Sequence, residues 1–198
     1  AQSRRISRIQ DAASGLLRIV NDILDLAKIE AGDVTLELRP FSLKDLVEKA
    51  SAIVMPMAQA KSLALDIEIQ DGLPPALLGD PDRLKQIMLN LLGNAIKFTE
   101  TGGVVLRAEA PPSQDGRCRL TIQISDTGIG IPAELQHLLF QRFSQVDAGS
   151  ERRFGGAGLG LAISRHLIEQ MGGRIEVESA LGTGSVFRLF LDLAVADM

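Results

Sequence analysis

The sequence predicts an α+β fold in two layers, a mixed or antiparallel sheet covered by helices on one face and preceded by a long helix. Three observations carry this. Helix-period and strand-period apolar patterns alternate along the chain after residue 33, without the regular repeat of a parallel sheet. Two pairs of strand-like runs, 104–110 with 120–125 and 175–179 with 185–191, are joined by polar or glycine-rich connections short enough for hairpins. The first 27 residues instead repeat their apolar positions at alternating steps of three and four.

That first run is Ile6, Ile9, Ala13, Leu16, Val20, Ile23 and Ala27, a packing seam, which Leu17 and Leu24 widen toward what a four-helix bundle needs. One helix cannot bury it alone, so it meets another copy, a missing helix or the following domain. Gly32 closes the helix, and 33–39 alternates as a strand. Ser42 is placed to cap the next helix, with Asp45 at N3. Leu43, Leu46, Val47, Ala50, Ile53, Val54 and Met57 form its expected apolar face. Leu65, Ile67 and Ile69 alternate as a strand, and 72–75 turns the chain. Asp80-Pro81 is an N-cap and N1 pair for a helix over 82–99. A last helical pattern runs through Leu161, Ile163, Leu167, Ile168 and Met171. Loops and ligand are expected to share cover of the sheet's other face.

Composition excludes several classes. At 198 residues, 45% hydrophobic and 23% charged, the chain can bury one substantial core. Its formal charge is -4 with dispersed cations, which disfavours nucleic-acid binding through a broad basic field. The lone Cys118 reads as a small strand residue and suits a reducing compartment. With no apolar run of about 18 residues and no signal peptide, this stretch reads as a soluble, cytoplasmic domain without membrane contact, compatible with a membrane-anchored longer parent. His137 and His166 are too isolated to build a metal site; His166 reads as a helix-surface residue and His137 as a packing or solvent residue.

On the helix at 82–99, Asn90, Asn94 and Lys97 fall within roughly 60° of one another, with Arg83 and Gln86 nearby and a broad apolar arc beside them. That stripe is either a solvated face or a working one able to supply oxygen ligands and a positive charge. Asp126-Thr-Gly-Ile-Gly-Ile131 follows a strand; its carboxylate either caps a turn or accepts from an exocyclic amine, with Gly128 and Gly130 allowing close approach to a flat ring. Gly155-Gly-Ala-Gly-Leu-Gly-Leu161 opens a helix; it is a flexible connection or a place where backbone N–H groups meet a polyanion. The polar interval 141–154 between them reads as a mobile cover. No Gly-x-x-x-x-Gly-Lys-Ser/Thr motif is present.

In their order, these segments resemble the ATP-binding catalytic domain of sensor histidine kinases, within the gyrase, Hsp90, histidine-kinase and MutL ATPase superfamily. Residues 82–99 resemble the N box, 126–131 the G1 box, Phe140-Gln-Arg-Phe143 the F box, 155–161 the G2 box, and Gly182-Thr-Gly184 the final glycine box. The resemblance covers most of 34–193. It implies a Bergerat-type ATP-binding fold at 33–198 with a lid at about 141–156, and makes 1–32 the second helix of a dimerisation hairpin whose first helix is not in this sequence.

The resemblance implies that Asn94 coordinates Mg²⁺, that Asn90 supports the metal and phosphate environment, and that Lys97 contacts phosphate. Asp126 would recognise adenine, Thr183 would assist through water and Phe98 would form an apolar wall. Gly128, Gly130 and Ile131 of the G1 box, Phe143 of the F box, and Gly156, Gly158, Leu159 and Gly160 of the G2 box complete the nucleotide-binding set. Arg142, Arg152 and Arg153 are candidates to approach the polyphosphate. Hydrolysing superfamily members carry a Glu where this chain has Asn90, and an amide has no basic site near neutral pH. Slow hydrolysis and transfer to an external nucleophile follow.

The implied partners are a histidine-containing dimerisation hairpin, an aspartyl receiver domain or response regulator, and a second copy of the full-length protein. The chain departs from the pattern at Ala157, where the family often has Thr, and at Gln145, where many members carry Arg; neither histidine has the phosphoacceptor context. A protein-serine kinase of the same superfamily and a nucleotide-responsive scaffold are the rival readings.

Overall fold

A strand of 13 residues near the C-terminus organises the sheet. The structure is a computed structural model that describes residues 20, 23–27, 31, 35–111, 116–142 and 158–196. A helical segment at 23–27 (α1) precedes β1 (Arg39–Phe41), α2 (Leu43–Ala60), β2 (Ala64–Ile69), β3 (Ala76–Gly79) and α3 (Pro81–Phe98). There follow β4 (Gly103–Glu109), β5 (Arg117–Asp126), α4 (Ala133–Gln136), α5 (Gly160–Gln170), β6 (Arg174–Ala180) and β7 (Gly184–Ala196).

Among the described residues these strands form one mixed sheet in the order β1-β3-β7-β5-β4-β2, with β6 also on β7. One edge of β7 pairs antiparallel with the whole of β5, from Arg117 opposite Ala194 to Asp126 opposite Ser185. Its other edge is shared: β6 takes the first half, from Ala180 opposite Gly184 to Arg174 opposite Phe190, and β3 takes Ala194 to Ala196. Only β2 and β4 run parallel.

Period-two alternation sends Val104, Leu106 and Ala108 of β4, Cys118, Leu120, Ile122 and Ile124 of β5, and Phe187, Leu189, Leu191 and Leu193 of β7 to one buried face. There α2, α3 and α5 cover them through Val47, Ala50, Val54, Leu84, Ile87, Met88, Leu91, Leu92, Ile163, Leu167 and Ile168. Burying each large apolar side chain stabilises the fold by roughly 1.5–3 kcal/mol against leaving it exposed.

Among the described residues, the other face of the sheet carries polar and charged pairs on neighbouring strands: Arg117 with Asp192, Arg107 with Glu68, Arg188 with Gln123 and Glu178, and Arg174 over the Phe190 ring at 4.1 Å. Cross-strand pairs of this kind let an antiparallel sheet face water.

Local signals set the helix starts. Ser42 Oγ accepts from Asp45 N at 3.2 Å, and Asp80 accepts from both Asp82 N and Arg83 N with Pro81 beside it. Asp80 also takes the Glu37 N–H, so this cap ties the chain before β1 to α3.

Two expectations need correction. Of the strand anticipated at 33–39, the described residues 35–38 are not strand and β1 starts at Arg39; β1 exists because β3, which the turn reading at 72–75 did not extend to, pairs with it. The buried stripe of α2 ends on Ala58 rather than Met57, leaving Ile53 55% and Met57 50% exposed, because α2 presents Ala50, Val54 and Ala58 to the core.

Val20, ahead of α1, and Ile23 and Leu24 on it are exposed, while Leu26 packs on the core and Asp25 turns inward. Ile6, Ile9, Ala13, Leu16 and Leu17 lie outside the described residues.

Candidate functional site

The stripe of α3 that carries Arg83, Gln86, Asn90, Asn94 and Lys97 meets a different neighbour at each level. At its first turns Gln86 Nε2 donates to Asp25 at 2.7 Å, and the Arg83 guanidinium lies 3.7 Å from the same carboxylate, so α1 is held there. One turn further, Asn90 Nδ2 donates to the buried Ser164 Oγ of α5 at 2.9 Å. Gly160 opens α5 directly against that side chain: a Cβ there would stand 2.4 Å from Asn90 Oδ1. Asn94 and Lys97 continue the stripe, both half-buried, and the Lys97 ammonium sits 4.7 Å from the Phe98 ring centroid.

The end of α3 is held by a residue that the motifs do not indicate. Lys61, just past α2, donates to the carbonyls of Ile96, Lys97 and Thr99 at 2.8, 2.7 and 3.1 Å. A cation on the last carbonyls of a helix satisfies acceptors that have no partner within it and complements the helix dipole.

The 126–131 loop is clasped from two sides. From α3, Phe98 O accepts from Ile129 N at 3.3 Å, while Thr127 N donates to Gly103 O at 3.2 Å and Thr127 Oγ1 donates to Thr101 O at 3.1 Å. Gly128 passes so near that a Cβ would stand 2.5 Å from Phe98 O. From the β6–β7 turn, Gly182 N donates to Ile129 O at 2.7 Å. Ser179 Oγ accepts from Ile131 N and donates to Gly184 O, both at 2.8 Å, and Gln136 Nε2 bridges the carbonyls of Ile131 and Ser179. Thr183 caps the same turn by donating to Ala180 O at 2.9 Å.

These bonds bring Phe98, Asp126, Gly128, Gly130, Ile131 and Thr183 into one neighbourhood at the C-terminal end of α3. Asp126 is half-buried at the end of β5, and its Oδ1 accepts from Gly128 N at 2.8 Å. Burial pushes its carboxyl above the usual carboxylate range, against the opposing pull of backbone hydrogen bonds from Gly128 and Ser185.

Gly158, at φ +67°, and the buried Leu159 lead into α5, whose first turn has no side-chain cap. Backbone N–H groups at the start of a helix are where an anion is held most readily. Phe143, Arg152, Arg153 and Gly156, with most of the anticipated lid, lie outside the described residues. Arg142, at the start of that interval, lines a cavity of about 260 Å³ with Leu26, Phe140, His166 and Glu169. There His166, on α5, is half-buried and shares the lining with Leu26 of α1. His137 is exposed.

Spacing alone missed Ser164, Lys61 and Ser179. Ser164 alone left a trace, as a polar residue in phase with the buried Ile163, Leu167 and Ile168 of α5.

Among the described residues no group of three or more His, Cys, Asp or Glu could hold a metal ion. The donors on hand are amide oxygens, and the Gly160 cradle keeps Asn90 Oδ1 against the start of α5. That set suits Mg²⁺, which prefers oxygen ligands and usually completes its shell with waters and phosphate.

Residues 79–195 match the family model described as histidine kinase-, DNA gyrase B-, and HSP90-like ATPase. The chain is 47% identical over 188 residues to the sensor histidine kinase GacS of Pseudomonas protegens, covering 95% of this chain and 20% of that protein. It is 41% identical over 192 residues to the signal transduction histidine-protein kinase BarA of Escherichia coli, covering 97% and 21%. The chain thus spans about a fifth of the length of these curated relatives. Among solved structures, full-length ShkA in complex with AMPPNP superposes with a TM-score of 0.82 at 34% identity, over 100% of this chain and 40% of that one.

Proposed function

Because the chain belongs to the histidine kinase-, DNA gyrase B- and HSP90-like ATPase family, we propose that it is the ATP-binding catalytic portion of a two-component sensor histidine kinase, passing the ATP γ-phosphoryl group to a histidine outside these residues. The observation that carries this reading is the double clasp on 126–131, which brings Asp126 beside the end of the Asn90, Asn94 and Lys97 stripe. The ATP analogue in ShkA and the kinase names of the relatives support it.

In this reading Asp126 accepts from the adenine amine, Phe98 walls the ring, and Thr183 acts through water. The glycines of 128–130 and the backbone of Ile131 let the ring approach. Lys97 and the N–H groups at Gly158, Leu159 and Gly160 hold phosphate, with Gly156, Phe143, Arg142, Arg152 and Arg153 assigned to the closing lid. Asn94 holds Mg²⁺, and Asn90 supports it. When bound, Mg²⁺ neutralises polyphosphate charge.

Transfer forms a bond from an imidazole nitrogen to the γ-phosphorus and breaks the bond to the bridging oxygen; the electron pair leaves with ADP, and the imidazole N–H proton goes to solvent. Asn90 cannot take a proton from water, so hydrolysis does not compete well. Positioning and charge neutralisation supply the catalysis.

The partners in this reading are a histidine-bearing hairpin, a receiver domain carrying an acceptor aspartate, and a second copy of the whole protein. No helix among the described residues is long and apolar enough to cross a membrane. A cytoplasmic placement, with any anchor elsewhere in the parent, is part of the proposal.

The test is incubation of the chain with γ-labelled ATP, Mg²⁺ and a complete dimerisation hairpin. Acid-labile, base-stable label on the hairpin with slow phosphate release is expected. Acid-stable label would favour hydroxyl transfer, and rapid phosphate release by the isolated chain would overturn the assignment.

A further inference from the structure

Ile131 closes the 126–131 loop and is followed by Pro132, so the next residue brings no backbone N–H to this corner. The backbone groups of Ile131 itself are held by side chains from two other segments. Its N–H donates to Ser179 Oγ of β6 at 2.8 Å, and its carbonyl accepts from Gln136 Nε2 of α4 at 3.1 Å. The same Gln136 nitrogen donates to the Ser179 carbonyl at 2.7 Å. One half-buried amide thus ties the loop, α4 and β6 together.

The partners decide which end of this amide faces them. Both are carbonyl oxygens, which only accept, so a turned amide would set oxygen against oxygen at each contact. The place requires a donor, whatever side chain carries it. Gly130, just before Ile131, has φ of +68° and passes so near the β6–β7 turn that a Cβ would stand 1.9 Å from Ala180 O. Further back in the loop, Gly128 N donates to Asp126 Oδ1 at 2.8 Å. A shift of Ile131 is therefore passed along the loop to Asp126.

In the nucleotide reading above, Asp126 accepts from the 6-amino group of adenine. Guanine carries a carbonyl at that position and offers no donor there, so ATP draws on the placement of the loop more than GTP does. Resting on that reading, we propose that Gln136 is a positioning residue for base selection: by donating to the carbonyls of Ile131 and Ser179 it holds the 126–131 loop where adenine is favoured over guanine.

The experiment is competition of ATP and of GTP, each with Mg²⁺, against fluorescent trinitrophenyl-ATP bound to this chain. Gln136→Met, close in size and without donors, should weaken ATP about fivefold, the scale of one lost hydrogen bond, and leave GTP within about twofold. Gln136→Glu, of the same shape but with acceptors only at neutral pH, should do the same and serves if the methionine variant unfolds. Gln136→Lys, which offers donors only, should keep ATP within about twofold of wild type. Selectivity is a ratio taken on one sample, so partial unfolding, which removes sites for both nucleotides alike, cancels from it.

Equal weakening of ATP and GTP would make Gln136 a general support of the fold and overturn the proposal. Loss of selectivity in Gln136→Lys, or unchanged ATP affinity in Gln136→Met, would overturn it as well. Each of these outcomes leaves the nucleotide reading standing. A wild-type chain that binds neither trinitrophenyl-ATP nor ATP would overturn that reading and this assignment together.

Discussion

Gly130 and Ala180 lie so close that a methyl group on Gly130 would stand 1.9 Å from the Ala180 carbonyl oxygen. This is where the 126–131 loop leans on the β6–β7 turn, and Gly130 also has φ of +68°. Gly130→Ala combines a backbone conformation that L residues avoid with a clash against main chain. It should destabilise the chain by about 2–4 kcal/mol, read by urea denaturation, and should weaken nucleotide binding under conditions where the chain stays folded.

Asp126 ties stability to pH in a definite direction. Its folded carboxyl titrates above its unfolded value because of burial. Between those two values the native state holds more protons than the unfolded state, so this group's contribution falls as pH rises through the window. At neutral pH Asp126→Asn should leave the melting temperature unchanged or slightly raised. The same variant should lose about tenfold or more in ATP affinity. Wild-type affinity should also fall as pH drops through the raised value, and the difference between wild type and variant across a pH series isolates that component from titration of ATP itself.

Lys61 bears on the site through the carbonyls at the end of α3. Lys61→Met keeps most of the stem and removes the donors, at a cost of about 1–2 kcal/mol. Because Lys97 and Phe98 belong to that turn, nucleotide affinity should fall several-fold. Calorimetric melting and equilibrium binding on the same samples check both; stability loss without a change in affinity would separate Lys61 from the site.

The hold of α1 on the domain is measurable at Asp25. Its side chain is 19% exposed and that of Arg83 27%, so their 3.7 Å pairing is partly shielded from solvent. A double-mutant cycle of Asp25→Ala and Arg83→Ala should give a coupling of about 0.5–1.5 kcal/mol, falling with added salt. A coupling near zero would mean that the Asp25–Arg83 pair adds nothing to the hold that Gln86 and Leu26 give.

Local chemistry was legible along the chain. Ser42 and Asp80 announced their helices because a cap acts within three residues of itself. The hairpins of β4 with β5 and β6 with β7 were legible because each joins neighbouring runs. The reading of Cys118 as a strand residue held as well, since it lies in β5. The phase of α2 was less secure: Ile53 and Met57 fit a helical stripe as well as Ala58 does, and only the position of the sheet beneath decided between them.

Residues that act across long separations left little trace. β1 and β3 are short, and each became a strand through a partner far along the chain. The donors of Lys61 find carbonyls 35 to 38 residues away, and Asn90 finds Ser164 across 74. His166 is half-buried and lines a cavity with Leu26 of α1, a neighbour far away in the chain.

The sequence by itself determined the starts of α2 and α3, the two hairpins, the order of the glycine segments and, through them, the family. Each of these depends on spacing and on the conformational freedom of residues close in the chain. Only the tertiary structure decided how β7 divides its free edge between β6 and β3, which face of α1 turns to the domain, and which side chain of α5 meets Asn90. Those depend on hydrogen bonds and burial between distant segments, and such partners exist only once the chain has folded.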